Sequence, residues 1–290
     1  MVIAVASGKG GTGKTLVATG LADVLSEDVG APVLLVDCDV EEPNAHLFLR
    51  PEIERTEDVH HLVPQVDADL CTLCGRCAQV CAFNAIAVVP TKVLVFAEMC
   101  HACGSCARQC PEGAITEVPL TLGRLEFGHA GSIGFAHGLL EVGQALATPV
   151  IRELKRKAQP EPGSVVTTIY DAPPGNACSV VETLQDCDYA LLVTEPTPFG
   201  LHDLRLAVEL ARDALGLPVG VVINRDGLGD AGVEDYCAEA SVPVLARIPF
   251  DRRIAHAYSE GQLWTQALPE YRPLLRSVAD AALRAREVRQ

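Results

Sequence analysis

The chain is poor in positive charge: 23 Lys and Arg stand against 38 Asp and Glu, a formal net charge of -15 over 290 residues. Affinity for phosphate backbones comes mainly from clustered Lys and Arg, so this balance argues against general nucleic-acid binding. The one basic cluster, Arg152, Lys155, Arg156 and Lys157, reads as a solvated helix face rather than a docking patch. No uncharged apolar run reaches the roughly 18 residues a membrane span needs, and the first strand begins at residue 2 with no signal-peptide pattern before it. A soluble, cytoplasmic protein is expected, long enough for one large α/β domain or a domain with an insertion. Cysteine, by contrast, is plentiful at twelve. In a cytoplasmic chain that number argues against a disulfide framework and for metal or redox chemistry, and spacing must decide.

Gly8-Lys9-Gly10-Gly11-Thr12-Gly13-Lys14-Thr15 follows the apolar run Met1 to Ala6 and precedes Leu16 to Leu25, whose apolar and small residues recur at helical spacing. Strand, glycine-rich loop and helix together are the context of a phosphate-binding loop. The glycines let backbone N–H groups wrap a polyphosphate, and the helix N-terminus adds partial positive charge there. Lys14 is placed for the β- and γ-phosphates, and Thr15 offers its hydroxyl to Mg2+. Ala31 to Val36 reads as a second parallel strand. Asp37-Cys38-Asp39 then emerges at its C-terminal edge, where open α/β sheets bind ligands.

Lys9, a second lysine early in the loop, makes the motif resemble the ParA and MinD branch of P-loop ATPases, which includes the nitrogenase iron protein. The resemblance implies a Mg2+-dependent ATPase, slow without its partner, binding ATP or ADP as a homodimer or as a heterodimer with a paralogue. It implies that Lys9 reaches the partner's phosphates and that Asp39 orients the attacking water and serves Mg2+, while Asp37 supports the Mg2+ shell or the loop. Val165 to Tyr170 reads as a further strand, ending in Asp171-Ala172-Pro173-Pro174-Gly175. By resemblance Asp171 is a ligand to Mg2+-bound water and Gly175 a hinge whose N–H senses the γ-phosphate. Ala190 to Thr194, Val219 to Ile223 and Val244 to Ile248 read as later strands. The resemblance gives the last two C-terminal loops to the adenine, with Asn224 at the base edge and Arg225, Pro249, Phe250 and Asp251 around it.

From Pro51 the α/β rhythm breaks into a polar segment, in which adjacent His60 and His61 read as linker residues. Cys71-x2-Cys74-x2-Cys77-x3-Cys81 then recurs at a constant offset of 29 as Cys100-x2-Cys103-x2-Cys106-x3-Cys110-Pro111. Gly75 with Gly104, Ala78 with Ala107, and Ala85-Ile86 with Ala114-Ile115 extend the match, so the segment is an internal duplication. Zinc competes for such spacing, but a duplicated triplet-plus-one pattern weighs against it. Over roughly 65–118 the pattern resembles bacterial ferredoxins with two [4Fe-4S] clusters, in which the fourth cysteine of each run ligates the other cluster. That resemblance implies one cluster on Cys71, Cys74, Cys77 and Cys110, and the other on Cys81, Cys100, Cys103 and Cys106. Ala82 stands where Pro111 follows the matching cysteine, which leaves ligation intact. Ile86 to Val89 and Lys92 to Phe96 read as short strands beneath the clusters.

Six glycines between Leu120 and Gly143, interleaved with His129 and His137, match no cofactor fingerprint; the segment is expected to re-enter the sheet, with both histidines in loops. Gln144 to Ala158 and Leu201 to Leu215 read as helices, as do Ile254 to Gln262 and Leu274 to Val288; the last lacks the bulky aromatics of a membrane anchor. Cys178 lies seven residues after Asp171, the spacing of an interface cluster cysteine in the nitrogenase iron protein, though the further cysteine that protein needs is missing upstream. Packing is the alternative for Cys178, and it is the assignment for Cys38, Cys187 and Cys237.

Taken whole, the order resembles MinD-superfamily ATPases carrying an inserted ferredoxin domain. The fold implied is a mostly parallel P-loop sheet with helices on both faces, over 1–64 and 119–290, interrupted by a small α+β module at 65–118. Nucleotide-driven dimer closure coupled to electron transfer with a redox partner is the function implied. The alternative is a cluster assembly factor delivering to a cluster-accepting partner, as in Mrp-type carriers, whose labile site on a paired C-x-x-C this chain lacks. Neither nucleic acid nor membrane is an expected partner.

Overall fold

The apolar runs become the strands of one sheet in a computed structural model that describes residues 1–160, 163–164 and 166–287. Val165, expected to open a strand, and Val288, expected to close the last helix, lie outside the described residues. The strands are β1 (Val2–Ala6), β2 (Val33–Asp37), β3 (Glu52–Val66), β4 (Ile86–Val89), β5 (Lys92–Val95), β6 (Ile115–Ala130), β7 (Ile133–Leu140), β8 (Thr167–Asp171), β9 (Tyr189–Thr194), β10 (Val219–Asp226) and β11 (Val244–Pro249). The helices are α1 (Lys14–Glu27), α2 (Ala45–Leu49), α3 (Arg76–Gln79), α4 (Ser105–Arg108), α5 (Ala147–Lys157), α6 (Cys178–Leu184), α7 (Pro198–Val208, continued as a π turn to Ala214), α8 (Gly232–Glu239), α9 (Arg252–Ser259), α10 (Trp264–Ala267) and α11 (Arg272–Glu287).

The main sheet runs β11-β10-β9-β1-β8-β2-β7-β6-β3, parallel from β11 to β7 and antiparallel thereafter. Alternate residues of each central strand serve opposite faces. Ile3, Val5, Leu35 and Ile169 pack beneath α1, α9 and α11, whereas Ala4, Val36 and Tyr170 pack beneath α5, α6 and α7. Trp264 is buried and donates its indole N–H to the Leu16 carbonyl at 2.8 Å, fixing α1 and with it the loop that α1 follows. The basic cluster of α5 is committed internally: Arg152 pairs with Glu182, Arg156 with Glu153 and Lys157 with Glu57, while Lys155 donates to three carbonyls around the end of α6.

Residues 52–66 correct the sequence reading: they are no linker but an edge strand, and His60 and His61 lie within it. Charged residues such as Glu52, Glu54, Arg55 and Glu57 hide the apolar alternation, and such charge is what keeps an exposed sheet edge from pairing with other chains. His129 and His137 are likewise strand residues, on β6 and β7, and not loop residues. Two of the glycines around them mark close backbone approach: a Cβ on Gly128 would lie 1.9 Å from the Glu52 carbonyl oxygen, and one on Gly123 2.3 Å from that of Leu139.

β3 and β6 outrun β7. Gly123 pairs with Leu140 at the end of β7, so 60–66 and 115–122 continue as a two-stranded ribbon past the C-terminal ends of the parallel strands. The ribbon leaves the sheet at a bulge, because the pairing steps from Val59 with Gly123 to His60 with Thr121 and leaves Leu122 over, fully buried. At about 3.3 Å per residue the ribbon projects roughly 25 Å. It carries the cysteine segment at its tip, and residues 64 and 118, expected to lie at domain boundaries, fall within its strands. There the hairpin β4–β5, with α3 and α4, packs around Cys77, Ile86, Cys106 and Ile115.

Candidate functional site

The phosphate loop joins β1 to α1, with Gly11 and Gly13 at φ 78 and 97, left-handed values that glycine adopts without strain. Gly13 has a second reason to be glycine, since a Cβ there would lie 2.4 Å from the Asn224 amide nitrogen. That amide donates to the Thr12 carbonyl at 2.7 Å and ties β10 to the loop.

One cleft of about 370 Å3 gathers most of the residues that the sequence singles out: Gly10, Gly11, Gly13, Lys14, Thr15, Asp39, Asn224, Arg225, Pro249, Phe250 and Asp251. Glu42 and Asn44 of the loop that continues from Asp39, and Pro174 of the Asp171–Gly175 segment, also line it, as do Ile254 and Tyr258, which were not foreseen. Asp251 spends its carboxylate on capping α9, through the Arg253 N–H at 2.8 Å, and on the Arg253 side chain, which holds it well below the usual range at about 2. Phe250 is half exposed, offering an apolar surface at the cleft.

Gly8, Lys9, Thr12, Asp171 and Gly175 do not line that cleft. Gly8 is pressed onto α7, where a Cβ would meet the Asp203 carbonyl oxygen at 2.3 Å. The Lys9 ammonium lies 3.3 Å from Glu195, a carboxylate just past β9 that also pairs with Arg225. Sequence reasoning missed Glu195; an acid directly after a buried apolar strand was its only signal. Thr12 is buried with its hydroxyl unpartnered among the described residues, and the Gly175 N–H donates to the Ser7 carbonyl at 3.2 Å.

Beneath the loop the electrostatics are lopsided. Asp37 is fully buried and accepts from the backbone N–H groups of Asp39, Asn44 and Ala45 at 3.1, 2.9 and 3.0 Å, so its present role is to fold the 38–45 loop. Burial nonetheless pushes its carboxyl up to about 7, against those hydrogen bonds. Burial raises Asp171 well above the usual carboxylate range, the Asp37 charge adds to the effect and the Thr15 hydroxyl opposes it, although no group among the described residues meets full hydrogen-bond geometry with either Asp171 oxygen. Asp39 is raised by burial too, with Lys14 opposing. Burial lowers the Lys14 ammonium while Asp171, Asp39 and Asp37 pull it back up. One ammonium among three acids that burial holds against ionisation leaves carboxyl oxygens short of a cation. The donor set therefore fits a divalent cation with oxygen ligands, and the N–H-rich loop above it fits a polyphosphate.

The cysteines gather at the ribbon tip as two cavities. Cys71, Cys74 and Cys77 line the first together with Cys110, and Cys100, Cys103 and Cys106 line the second together with Cys81. Each cavity therefore takes its fourth cysteine from the other repeat. Leu73 and Gly75, at φ 57 and 79, recur as Ala102 and Gly104, at φ 51 and 68. Backbone N–H groups of Ala85, Ala102 and Ala114 point at the sulfurs of Cys81, Cys100 and Cys110 at 3.3 to 3.4 Å. Among the described residues no three Cys, His, Asp or Glu side chains converge to hold a single metal ion; the cysteines ring each cavity instead. Sulfur donors around a cavity fit an iron-sulfur cluster. Cys178 is exposed at the start of α6, which overturns packing as its role, whereas Cys38, Cys187 and Cys237 are buried, as expected of packing residues.

Residues 3–264 match the family described as the CobQ/CobB/MinD/ParA nucleotide binding domain. An uncharacterized protein of Methanocaldococcus jannaschii is 32% identical over 254 residues, covering 87% of this chain and 85% of that protein. A shorter match is the cytosolic Fe-S cluster assembly factor NUBP2 homolog of Monosiga brevicollis, 32% identical over 123 residues, 36% of this chain and 43% of that protein. Among solved structures, the septum site-determining protein MinD of Pyrococcus horikoshii, complexed with Mg-ADP, superposes with a TM-score of 0.59 at 20% identity. It covers 97% of this chain and 94% of that one, a likeness of fold.

Proposed function

The chain belongs to the CobQ/CobB/MinD/ParA nucleotide-binding family, and on that premise we propose that it is a Mg2+-dependent ATPase whose dimer closure governs electron transfer through two [4Fe-4S] clusters to or from a protein partner. The observation that carries the iron-sulfur half is the crossing of the cysteines, three from one repeat and one from the other in each cavity. In this reading 65–118 is a ferredoxin module set into an ATPase domain of 1–64 and 119–290. Cys71, Cys74, Cys77 and Cys110 hold one cluster and Cys81, Cys100, Cys103 and Cys106 the other, and such clusters supply one-electron chemistry when bound.

In the ATPase half Lys14 neutralises phosphate charge, Thr15, Asp39 and Asp171 serve Mg2+, and Asp39 orients the attacking water. Asn224, Arg225 and the 249–251 turn flank the base. Pro174 of the Asp171–Gly175 segment lines the same cleft, which supports Gly175 as the hinge that follows nucleotide state. Lys9 acts across a homodimer, or a heterodimer with a paralogue, after leaving Glu195. That release is inexpensive because Glu195 keeps Arg225 and is not left as a buried unpaired charge. The ribbon projects from the same sheet edge as the cleft, which supports a link between nucleotide and module.

Iron, acid-labile sulfide and zinc analysis of anaerobically purified protein, with calorimetric titration of ADP and an ATP analogue, tests both halves. About eight irons per chain with matching sulfide, and nucleotide binding that needs Mg2+, are expected; zinc without sulfide, or no nucleotide binding, overturns the reading. The similarity to the NUBP2 homolog favours a second reading, an ATP-dependent cluster assembly or carrier factor. A carrier would pass iron and sulfide stoichiometrically to an apo-protein, whereas closed four-cysteine sites suit retention.

A further inference from the structure

A row of polar residues crosses the sheet on one face. Asp171 of β8 pairs in register with Asp37 of β2, Asp37 with His137 of β7, His137 with Glu126 of β6, and Glu126 with Thr56 of β3. Register partners point to the same side, so the row leads from the carboxylates beneath the phosphate loop to the two strands that carry the cysteine module. His137 is 3% exposed and its Nε2 lies 2.9 Å from a Glu126 oxygen; the other Glu126 oxygen lies 3.2 Å from Arg124. The His46 ring stands edge-on to His137 at 5.3 Å. His46 belongs to α2, which begins where Asn44 and Ala45 donate to Asp37.

Because the Glu126 carboxylate accepts, Nε2 of His137 carries the proton. Nδ1 of His137, Nδ1 of His46 and Oδ1 of Asn44 are buried with no hydrogen-bond partner among the described residues. An apolar pair of similar size would close this face without stranding ring nitrogens, so packing alone does not account for the residues. Their position does: Glu126 lies four residues from the Leu122 bulge at which the ribbon leaves the sheet. From the Leu122 bulge to Ile115 the ribbon spans roughly 25 Å, so each degree of rotation at the root displaces the module by about 0.4 Å.

We propose that His137 and Glu126 form a latch between the Asp37–Ala45 loop and the root of the ribbon, through which nucleotide bound beside that loop resets the angle of the cysteine module. The latch rests on the nucleotide-binding half of the proposed function and on neither the clusters nor their chemistry. Both residues lie outside the nucleotide cleft and act as positioning residues.

The test is hydrogen–deuterium exchange of the full chain, read in peptides covering 60–66 and 115–122, without nucleotide and with saturating MgADP or a non-hydrolysable MgATP analogue. In the wild type at least one nucleotide changes exchange in the ribbon threefold or more. Glu126→Leu, which removes the acceptor, abolishes that change while its calorimetric affinity for nucleotide stays within threefold, and Arg124→Ala, which leaves the His137 contact in place, keeps the change. His137→Phe, which retains a ring but no donor, is the second variant and gives the same loss, so the test survives if Glu126→Leu fails to fold. A wild-type response that persists in both variants overturns the latch, as does a wild type that binds nucleotide with no ribbon response. Failure to bind nucleotide in calorimetry removes the binding reading, and the latch with it.

Discussion

Asp37 sets a stability signature that can be read without any ligand. Its carboxyl ordinarily titrates near 3.8 and in the fold is pushed up to about 7 by burial. An acid whose folded pKa lies above its unfolded value binds more protons when folded between those two values, so stability rises as pH falls through that window. For a folded pKa of about 7, lowering the pH from 8 to 6 adds about 1.4 kcal/mol through Asp37 alone. Urea denaturation at the two pH values, in EDTA and without nucleotide, measures it through the single tryptophan, Trp264, which is 1% exposed against α1. Asp37→Asn removes this contribution, and through Asp37 the slopes of the two proteins should differ by about 1.4 kcal/mol. His137 and His61, both lowered by burial, oppose the slope, but they do so in both proteins and cancel. The offset between the curves mixes lost N–H bonds at Asn44 and Ala45 with relief of a buried charge, which is why the slope is the quantity to read. Saturating MgADP should flatten the wild-type slope, because a cation beside the carboxylates favours their ionised forms. Parallel slopes in wild type and Asp37→Asn would show that Asp37 does not take up its proton between pH 8 and 6.

Gly8→Ala forces a methyl against the backbone of Asp203, where the carbonyl oxygen would be 2.3 Å away; a loss of about 1 to 3 kcal/mol is expected in thermal denaturation. Lys14→Ala leaves Asp171, Asp39 and Asp37 without their shared cation and should weaken nucleotide binding by about 100-fold or more in calorimetry, with magnitude set by charge-assisted contacts to phosphate. The crossed cysteine sets give a pairwise test: Cys71→Ala and Cys110→Ala should remove the same cluster signal and about half the iron, while Cys81→Ala and Cys100→Ala remove the other. Cys178→Ser should leave both signals intact.

The phosphate loop, the Asp-x-Asp and the duplicated cysteines were legible because their chemistry fixes residue type and spacing along the chain. Central strands were legible for the same reason that they are central: buried on both faces, they read as continuous apolar runs. The ribbon was not, because an edge strand carries charge and a crowded strand carries glycine, and both mimic loop composition. Glu195, Tyr258 and the Glu126–His137 pair were invisible because they meet their partners only through sheet order; Glu126 and His137 become neighbours through antiparallel pairing, and His137 reaches Asp37 through a parallel one. The last two strand ends were found, yet Asp251 proved to be a helix cap as well as a cleft residue.

Whether nucleotide state governs an iron-sulfur module is decided by an EPR-monitored redox titration of anaerobically purified protein without nucleotide, with MgADP and with a non-hydrolysable MgATP analogue. Two [4Fe-4S] signals are expected, at least one shifting by tens of millivolts between nucleotide states, on the order of 1 kcal/mol for each 40 mV in a one-electron couple. Absence of the signals, or potentials that stay fixed while nucleotide binds, would contradict such control.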